Sequence, residues 1–316
     1  MPHRNCNVML AQAGMWQHDG KRWPVGARTD MKSAPFTYTR AASVAQAIEL
    51  LAVEPDARLL AGGQSLGPML NLRLARPTRL IDLKRASELR LLEADSRHLR
   101  LGACWTHAEI EDGTIEDPTN GLLPHVARGI AYRAVRNRGT VGGSLAHADP
   151  AADWLATMAV LDAAIVVQGS GGARRCAATT FVQGPFATVL GPAELIVAIE
   201  VPRLSAGARW GYHKVCRKTG EFARAIGAAM LDERNDLARV VCGATGGAPI
   251  ELPRTAARLG EAGAAAAIEI VADELAALRG AAPWQVHAVA VRRALAQLAS
   301  PVGVEPHVAE PVAGAA

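Results

Sequence analysis

The sequence predicts an α+β protein, mixed in its first half and increasingly built from antiparallel strands towards its end. Three observations lead there. Short apolar runs stopped by glycine alternate with helical patterns as far as residue 161. Five further runs, at 164–167, 195–201, 209–215, 223–231 and 237–242, read as successive strands separated by Gly, Pro and Asp/Asn turns. The later ones have no helices between them, so they should pair antiparallel.

Taken in order, Ser43 and Gln46 form a capping-box pattern, and Val44, Ala47, Ile48 and Leu51 follow at helical spacing. Residues 58–61 make a short strand ended by Gly62 and Gly63, and 80–83 make another after Pro77. Leu99, Leu101 and Ala103 alternate with Arg100 and Gly102 as in a half-buried strand, before a polar helical stretch from Thr106. The segment 136–153 packs three glycines into a turn and leads into an apolar helix over 154–161. Two helical patterns, 264–278 and 283–298, come late; Pro283 suits a first turn, and Val291, Leu295 and Leu298 share one stripe. The tail from Val302, rich in Pro, Gly and Ala, reads as loose.

With 316 residues, half of them apolar, the chain can bury a sizeable core without disulfides or metal. Aromatics are only 4%, so Ala and Leu must fill most of that core. A net charge of +4, from 34 basic and 30 acidic residues, is too mild and dispersed for a nucleic-acid footprint, although a small anionic ligand fits it. The five cysteines, Cys6, Cys104, Cys176, Cys216 and Cys242, are scattered and form no C-x-x-C pair. They supply no cluster or metal site and read as thiols in a reducing, cytoplasmic setting. The mostly apolar stretch from Trp154 to Val167 is too short to span a bilayer and contains Asp162. Residues 1–30 lack a signal-peptide pattern and read as an extension ahead of a domain opening at Met31.

Two glycine segments carry the chemistry. In the first, Gly62 and Gly63 follow a strand directly, where residues without Cβ let backbone N–H groups approach an anion, and Gln64 and Ser65 add side-chain donors. Neither a P-loop nor a Rossmann fingerprint matches. The second, Gly139 to Ser144, has the same character, and two such segments suit a diphosphate held between them. His147 stands beside it without a ligand partner at helical spacing and reads as a loop hydrogen-bonder, so no metal site is expected.

The strings LLAGGQSLGPMLNLRLARPTRLIDL and RNRGTVGGSLAHADPAAD, with ELIVAIEVP and YHKVCRKTGEFA downstream, resemble the FAD-binding medium subunit of molybdenum hydroxylases. That family includes carbon monoxide dehydrogenase medium chains and the flavin domain of xanthine dehydrogenase. The likeness runs over residues 31–300, with four motifs in the family's order.

The resemblance implies a vanillyl-alcohol-oxidase (PCMH)-type FAD-binding domain of two lobes, over 31–206, and a smaller domain with a three-stranded antiparallel sheet and helices, over 207–300. It places the FAD diphosphate against Leu59, Leu60, Ala61, Gly62, Gly63, Gln64, Ser65 and Leu66, and against Thr140, Val141, Gly142, Gly143 and Ser144, the last departing from the family's usual asparagine. Ile130 and Ile196 match cofactor contacts. Asp153 matches an acid that could accept hydrogen bonds from ribose or adenine, and Lys214 a lysine near the flavin that could stabilise negative charge on a reduced ring. The implied function is electron transfer within a heterotrimer, from iron–sulfur clusters on a small subunit, fed by a molybdenum-cofactor large subunit, through FAD to NAD, a quinone or another acceptor. A stand-alone FAD-dependent dehydrogenase or oxidase is the alternative. It needs its own acid–base group near the flavin, and the sequence offers no clear candidate.

Overall fold

The computed structural model describes residues 32–279 and 284–299. The expected extension at 1–30, Met31, Pro283, Ser300 and the tail from Val302 lie outside the described residues. The first lobe is a parallel sheet of β1 (Thr37–Arg40), β2 (Arg58–Leu60) and β3 (Arg79–Asp82), in the order β1-β3-β2. Helices α1 (Val44–Val53) and α2 (Leu66–Asn71) make the crossovers that parallel pairing requires. α1 buries Val44, Ala47, Ile48 and Leu51, the stripe expected from their spacing. Its cap differs in one detail: the Ser43 side chain accepts from the Gln46 N–H at 3.2 Å, but the Gln46 side chain reaches the N–H of Ala42, one residue earlier, at 2.7 Å.

The second lobe centres on an antiparallel sheet. Its strands are β4 (Leu92–Ala94), β5 (His98–Gly102), β6 (Ala164–Gly169), β7 (Gly172–Ala177) and, after a small hairpin of β8 (Val182–Gly184) and β9 (Ala187–Thr188), β10 (Leu195–Pro202). The spatial order is β4-β5-β10-β6-β7. Between β5 and β6 run α3 (His107–Glu111), α4 (Leu122–Gly129), α5 (Arg133–Arg136), α6 (Val141–His147) and α7 (Asp153–Val160), and α8 (Ala178–Phe181) follows β7. Every residue of α7 is buried. A helix without a polar face must be covered on all sides.

Its cover includes the C-terminal sheet, formed by β11 (Arg209–Val215), β12 (Ala225–Asp232), β13 (Leu237–Gly243) and a two-residue β14 (Ile250–Glu251). Three long antiparallel strands match the expectation, and β14 adds a short fourth. All of β12 is buried because the sheet has a core on each face: Ile226, Ala228 and Met230 join the core that contains Trp154 and Met158 of α7, whereas Ala229 and Leu231 pack with α9 (Pro253–Arg279) and α10 (Gln285–Gln297). The helix expected over 264–278 begins eleven residues earlier, at Pro253, and is broken at Gly263, whose φ of 80° and ψ of 179° are non-helical. Pro253 is the helix-starting residue, with its missing N–H at a position that needs none. The edge strand β11 is closed off by Gln297 of α10, whose side-chain amide accepts from the Tyr212 N–H at 2.8 Å and donates to the Tyr212 carbonyl at 3.2 Å. That clasp fixes the strand that carries Lys214.

Candidate functional site

A cavity of about 790 Å³ lies where the first lobe, the second lobe and β11 meet. The size is within the usual range for cofactor sites. The first glycine segment lines it with Leu59, Ala61, Gly62, Gly63, Gln64, Ser65 and Leu66, and the second with Thr140, Gly142, Gly143 and Ser144. Ile130, Asp153, Ile196 and Lys214 complete the set expected from the sequence. Two expected residues do not line it. Leu60 packs beneath Gly63, and Val141 is fully buried in the core.

The two glycine segments differ in what they can offer. Gly63 has a left-handed φ of 74°, and the backbone N–H groups of Gly62, Gly63, Gln64 and Ser65 donate to no group among the described residues. Four consecutive unpartnered donors at a cavity wall are suited to an anion. The second segment is not a left-handed turn. Gly142 and Gly143 open α6, none of the segment's three glycines has a positive φ, and its donors are engaged: Val141 N–H to the Trp105 carbonyl at 3.1 Å, Gly142 N–H to Ala103 at 2.9 Å, Gly143 N–H to the Thr140 hydroxyl at 3.1 Å, and Ser144 N–H to the Thr140 carbonyl at 3.0 Å.

The reason for glycine there is steric. A Cβ on Gly142 would stand 2.5 Å from that of Ala103, and one on Gly62 would stand 2.0 Å from the carbonyl oxygen of Arg138. The two segments touch through backbone, with Gly62 as the contact point.

Asp153 and Lys214 meet directly. Lys214 Nζ donates to Asp153 Oδ2 at 2.9 Å and also reaches the Gly129 carbonyl at 3.3 Å, while the Tyr212 hydroxyl donates to Asp153 Oδ1 at 2.7 Å. The Lys214 charge is thus paired with Asp153, and both oxygens of that carboxylate are already engaged by donors of the chain itself. Burial raises the Asp153 carboxyl above its ordinary range, with Lys214 and the Tyr212 hydroxyl opposing that. Burial likewise holds the Tyr212 phenol well above its usual value.

Tyr212, His107 and Phe186 are the participants that sequence reasoning missed. Tyr212 is two residues from Lys214 on β11, so strand periodicity puts both side chains on one face; the motif containing both was in view. His107 is buried in the cavity wall, with Nδ1 accepting from Trp154 Nε1 at 3.1 Å and its backbone N–H donating to the Gly139 carbonyl at 2.9 Å. Burial, with Arg136 nearby, lowers its pKa to about 4, so the ring is neutral near pH 7. No sequence spacing marks it. Phe186 packs on His147, ring centroids 5.1 Å apart, and both line the cavity. No group of three or more His, Cys, Asp or Glu side chains with metal-holding geometry occurs among the described residues, and no described helix is long and apolar enough to cross a membrane.

A family profile described as the FAD binding domain in molybdopterin dehydrogenase matches residues 34–204. The carbon monoxide dehydrogenase medium chain of Hydrogenophaga pseudoflava is 36% identical over 248 residues, covering 77% of this chain and 86% of that one. The nicotine 6-hydroxylase medium subunit of Paenarthrobacter nicotinovorans is 34% identical over 224 residues, covering 71% and 78%. Among solved structures, carbon monoxide dehydrogenase from Hydrogenophaga pseudoflava superposes with a TM-score of 0.78 at 34% identity, over 84% of this chain and 98% of that one. Quinoline 2-oxidoreductase from Pseudomonas putida 86 gives 0.69 at 36% identity, over 76% and 86%. Fold, cavity and likeness together define a flavoprotein oxidoreductase subunit. More narrowly, the chain belongs to the family of FAD-binding domains in molybdopterin dehydrogenases, and its cofactor is FAD.

Proposed function

We propose that this chain is the FAD-carrying electron-transfer subunit of a heterotrimeric molybdenum hydroxylase. It takes electrons from iron–sulfur clusters on a small subunit, reduced in turn by a molybdenum-cofactor large subunit, and passes them to an external acceptor, NAD or a quinone. The observation that carries the reading is the run of unpartnered N–H groups from Gly62 to Ser65, on residues that line the same cavity as Ile196, Asp153 and Lys214. Support for the assembly comes from relatives named as medium chains or subunits of such enzymes. When bound, FAD supplies the capacity to hold an electron pair between donor and acceptor.

The chain's own residues bind and orient it. Gly62, Gly63, Gln64 and Ser65 donate to the diphosphate; Gly142, Gly143 and Ser144 form the facing wall; Ile130 and Ile196 exclude water beside it. Lys214, held by Asp153, keeps a compensated positive charge at the far wall. The purified protein should be yellow, and acid precipitation should release its flavin as FAD. Release of FMN, or flavin that stays with the pellet, would refute the diphosphate site or the non-covalent binding. Alone, the chain should oxidise no N-heterocycle, aldehyde, xanthine-like substrate or carbon monoxide, and co-expression with the two partner subunits should restore turnover. Full turnover by the isolated chain would refute the subunit role.

A further inference from the structure

Among the groups at the cavity, Tyr212 has no part in cofactor contact: it does not line the wall, yet its hydroxyl is buried against Asp153 at 2.7 Å. Its backbone is clasped on the outer edge by Gln297 and paired with Ala228 on the inner one, so the ring has a fixed origin. Its hydroxyl and the Lys214 ammonium leave the same strand face and take opposite oxygens of one carboxylate on the first residue of α7. A carboxylate held at both oxygens has one orientation.

We propose that Tyr212 is a positioning residue: by fixing the Asp153 carboxylate it sets how far the Lys214 charge at the cavity wall is compensated, and through that the reduction potential of the bound flavin. The inference rests on the cavity being the FAD site. Lys214 has a second partner, the Gly129 carbonyl at 3.3 Å, so it stays at the wall when Asp153 is perturbed. Without the Tyr212 hydroxyl, Asp153 loses the donor on Oδ1, burial disfavours its charge more strongly, and the ammonium is left less compensated. A less compensated cation favours the anionic reduced flavin, and the potential rises.

The test is the midpoint potential of the flavin in the purified holoprotein, measured against reference dyes at one pH. Asp153→Asn should favour reduced over oxidised flavin by about tenfold, which is about 30 mV for a two-electron couple. Tyr212→Phe should move the same way by about threefold, about 15 mV. The double variant should match Asp153→Asn alone, because Tyr212 acts through Asp153. Trp210→Phe serves as the control. It removes a hydrogen bond from the same strand, that of Trp210 Nε1 to the Asn120 carbonyl at 2.9 Å, without touching Asp153, and should leave the potential unchanged.

A merely structural Tyr212 would alter stability and not this series. A flavin-replete Tyr212→Phe protein at the wild-type potential overturns the proposal, as does an additive double variant or, should Tyr212→Phe fail to fold, an unshifted Asp153→Asn. A wild-type chain that holds no flavin overturns instead the reading of the cavity. The Tyr212–Asp153 coupling is then still read by urea unfolding of the two single variants and the double, and its absence there also overturns the proposal.

Discussion

Replacing Gly62 by alanine should separate the two glycine segments. The added Cβ would lie 2.0 Å from the Arg138 carbonyl oxygen, 2.7 Å from its carbon and 2.8 Å from Gly139 Cα. Ordinary carbon–oxygen contact needs more than 3 Å, so the loops must part by about 1 Å, and no rotamer change can relieve a clash with main chain. Overpacking costs about 1–3 kcal/mol, and a clash between two backbones belongs at the upper end. At about 2–4 °C per kcal/mol for a domain of this size, the melting temperature should fall by about 6–12 °C. The displaced segment carries the free donors, and losing one charge-assisted hydrogen bond of about 1.5–3 kcal/mol weakens FAD binding by at least tenfold. Differential scanning fluorimetry and flavin titration of the apoprotein read the two effects. Gly67→Ala, five residues on in α2, has open space around its Cβ and should match or slightly exceed the wild type. Wild-type melting and flavin affinity in Gly62→Ala would refute the backbone contact; equal losses in both variants would show that any added bulk in this segment does the damage.

Lys214→Met leaves the Asp153 carboxylate buried without its cation and should destabilise the fold by about 3–5 kcal/mol, most of which the added Asp153→Asn change restores; urea unfolding checks this, and a double variant no better than the single would count against the pair. His107 should make stability fall in mild acid. Its folded pKa, about 4, is below the ordinary 6.5, so the folded state holds fewer protons; the neutral ring's contribution is complete above about pH 6.5 and is lost as pH falls towards 4, up to about 3 kcal/mol. Unfolding curves of the wild type and of His107→Gln over that window should converge at the acid end; parallel curves would refute the assignment.

What the sequence made legible follows the range over which its signals act. Helix α1 was visible because it satisfies a local period of 3.6, and strands β10, β11 and β13 because each is a short run bounded by turn residues. Gly263 hid the first part of α9, since a glycine inside a helical pattern reads as a stop and here marks a break inside a continuing element. Strands β1, β4 and β7 were missed because their burial patterns are largely exposed, and β1 also depends on a partner, β3, some forty residues away. The site shows the same division. Fifteen of the seventeen expected residues line the cavity, because the glycine strings and the downstream motifs are local. Which donors remain free was not legible, since Ala103, Trp105 and Thr140 consume those of the second segment through tertiary contacts.

That consumption changes what the second glycine segment is for. In the sequence it reads as a second anion nest; in the fold it is a spacer whose lack of side chains lets α6 rest on the end of β5 and lets Gly62 meet the Arg138 carbonyl. One segment supplies donors and the other fixes where they stand, so the same residue type serves two physical ends. The polar side of the cavity repeats that division: Lys214 presents charge to the wall, and Asp153 and Tyr212, on α7 and β11, decide how much of it is felt. Because α7 belongs to the second lobe and β11 to the C-terminal sheet, any movement between them stretches the Lys214–Asp153 and Tyr212–Asp153 bonds together. The electrostatic setting of the cavity is therefore tied to the packing of α7 on that sheet, and substitutions in that packing, such as at Gly243 where a Cβ would meet Ala156 at 2.8 Å, should reach the cavity without touching it.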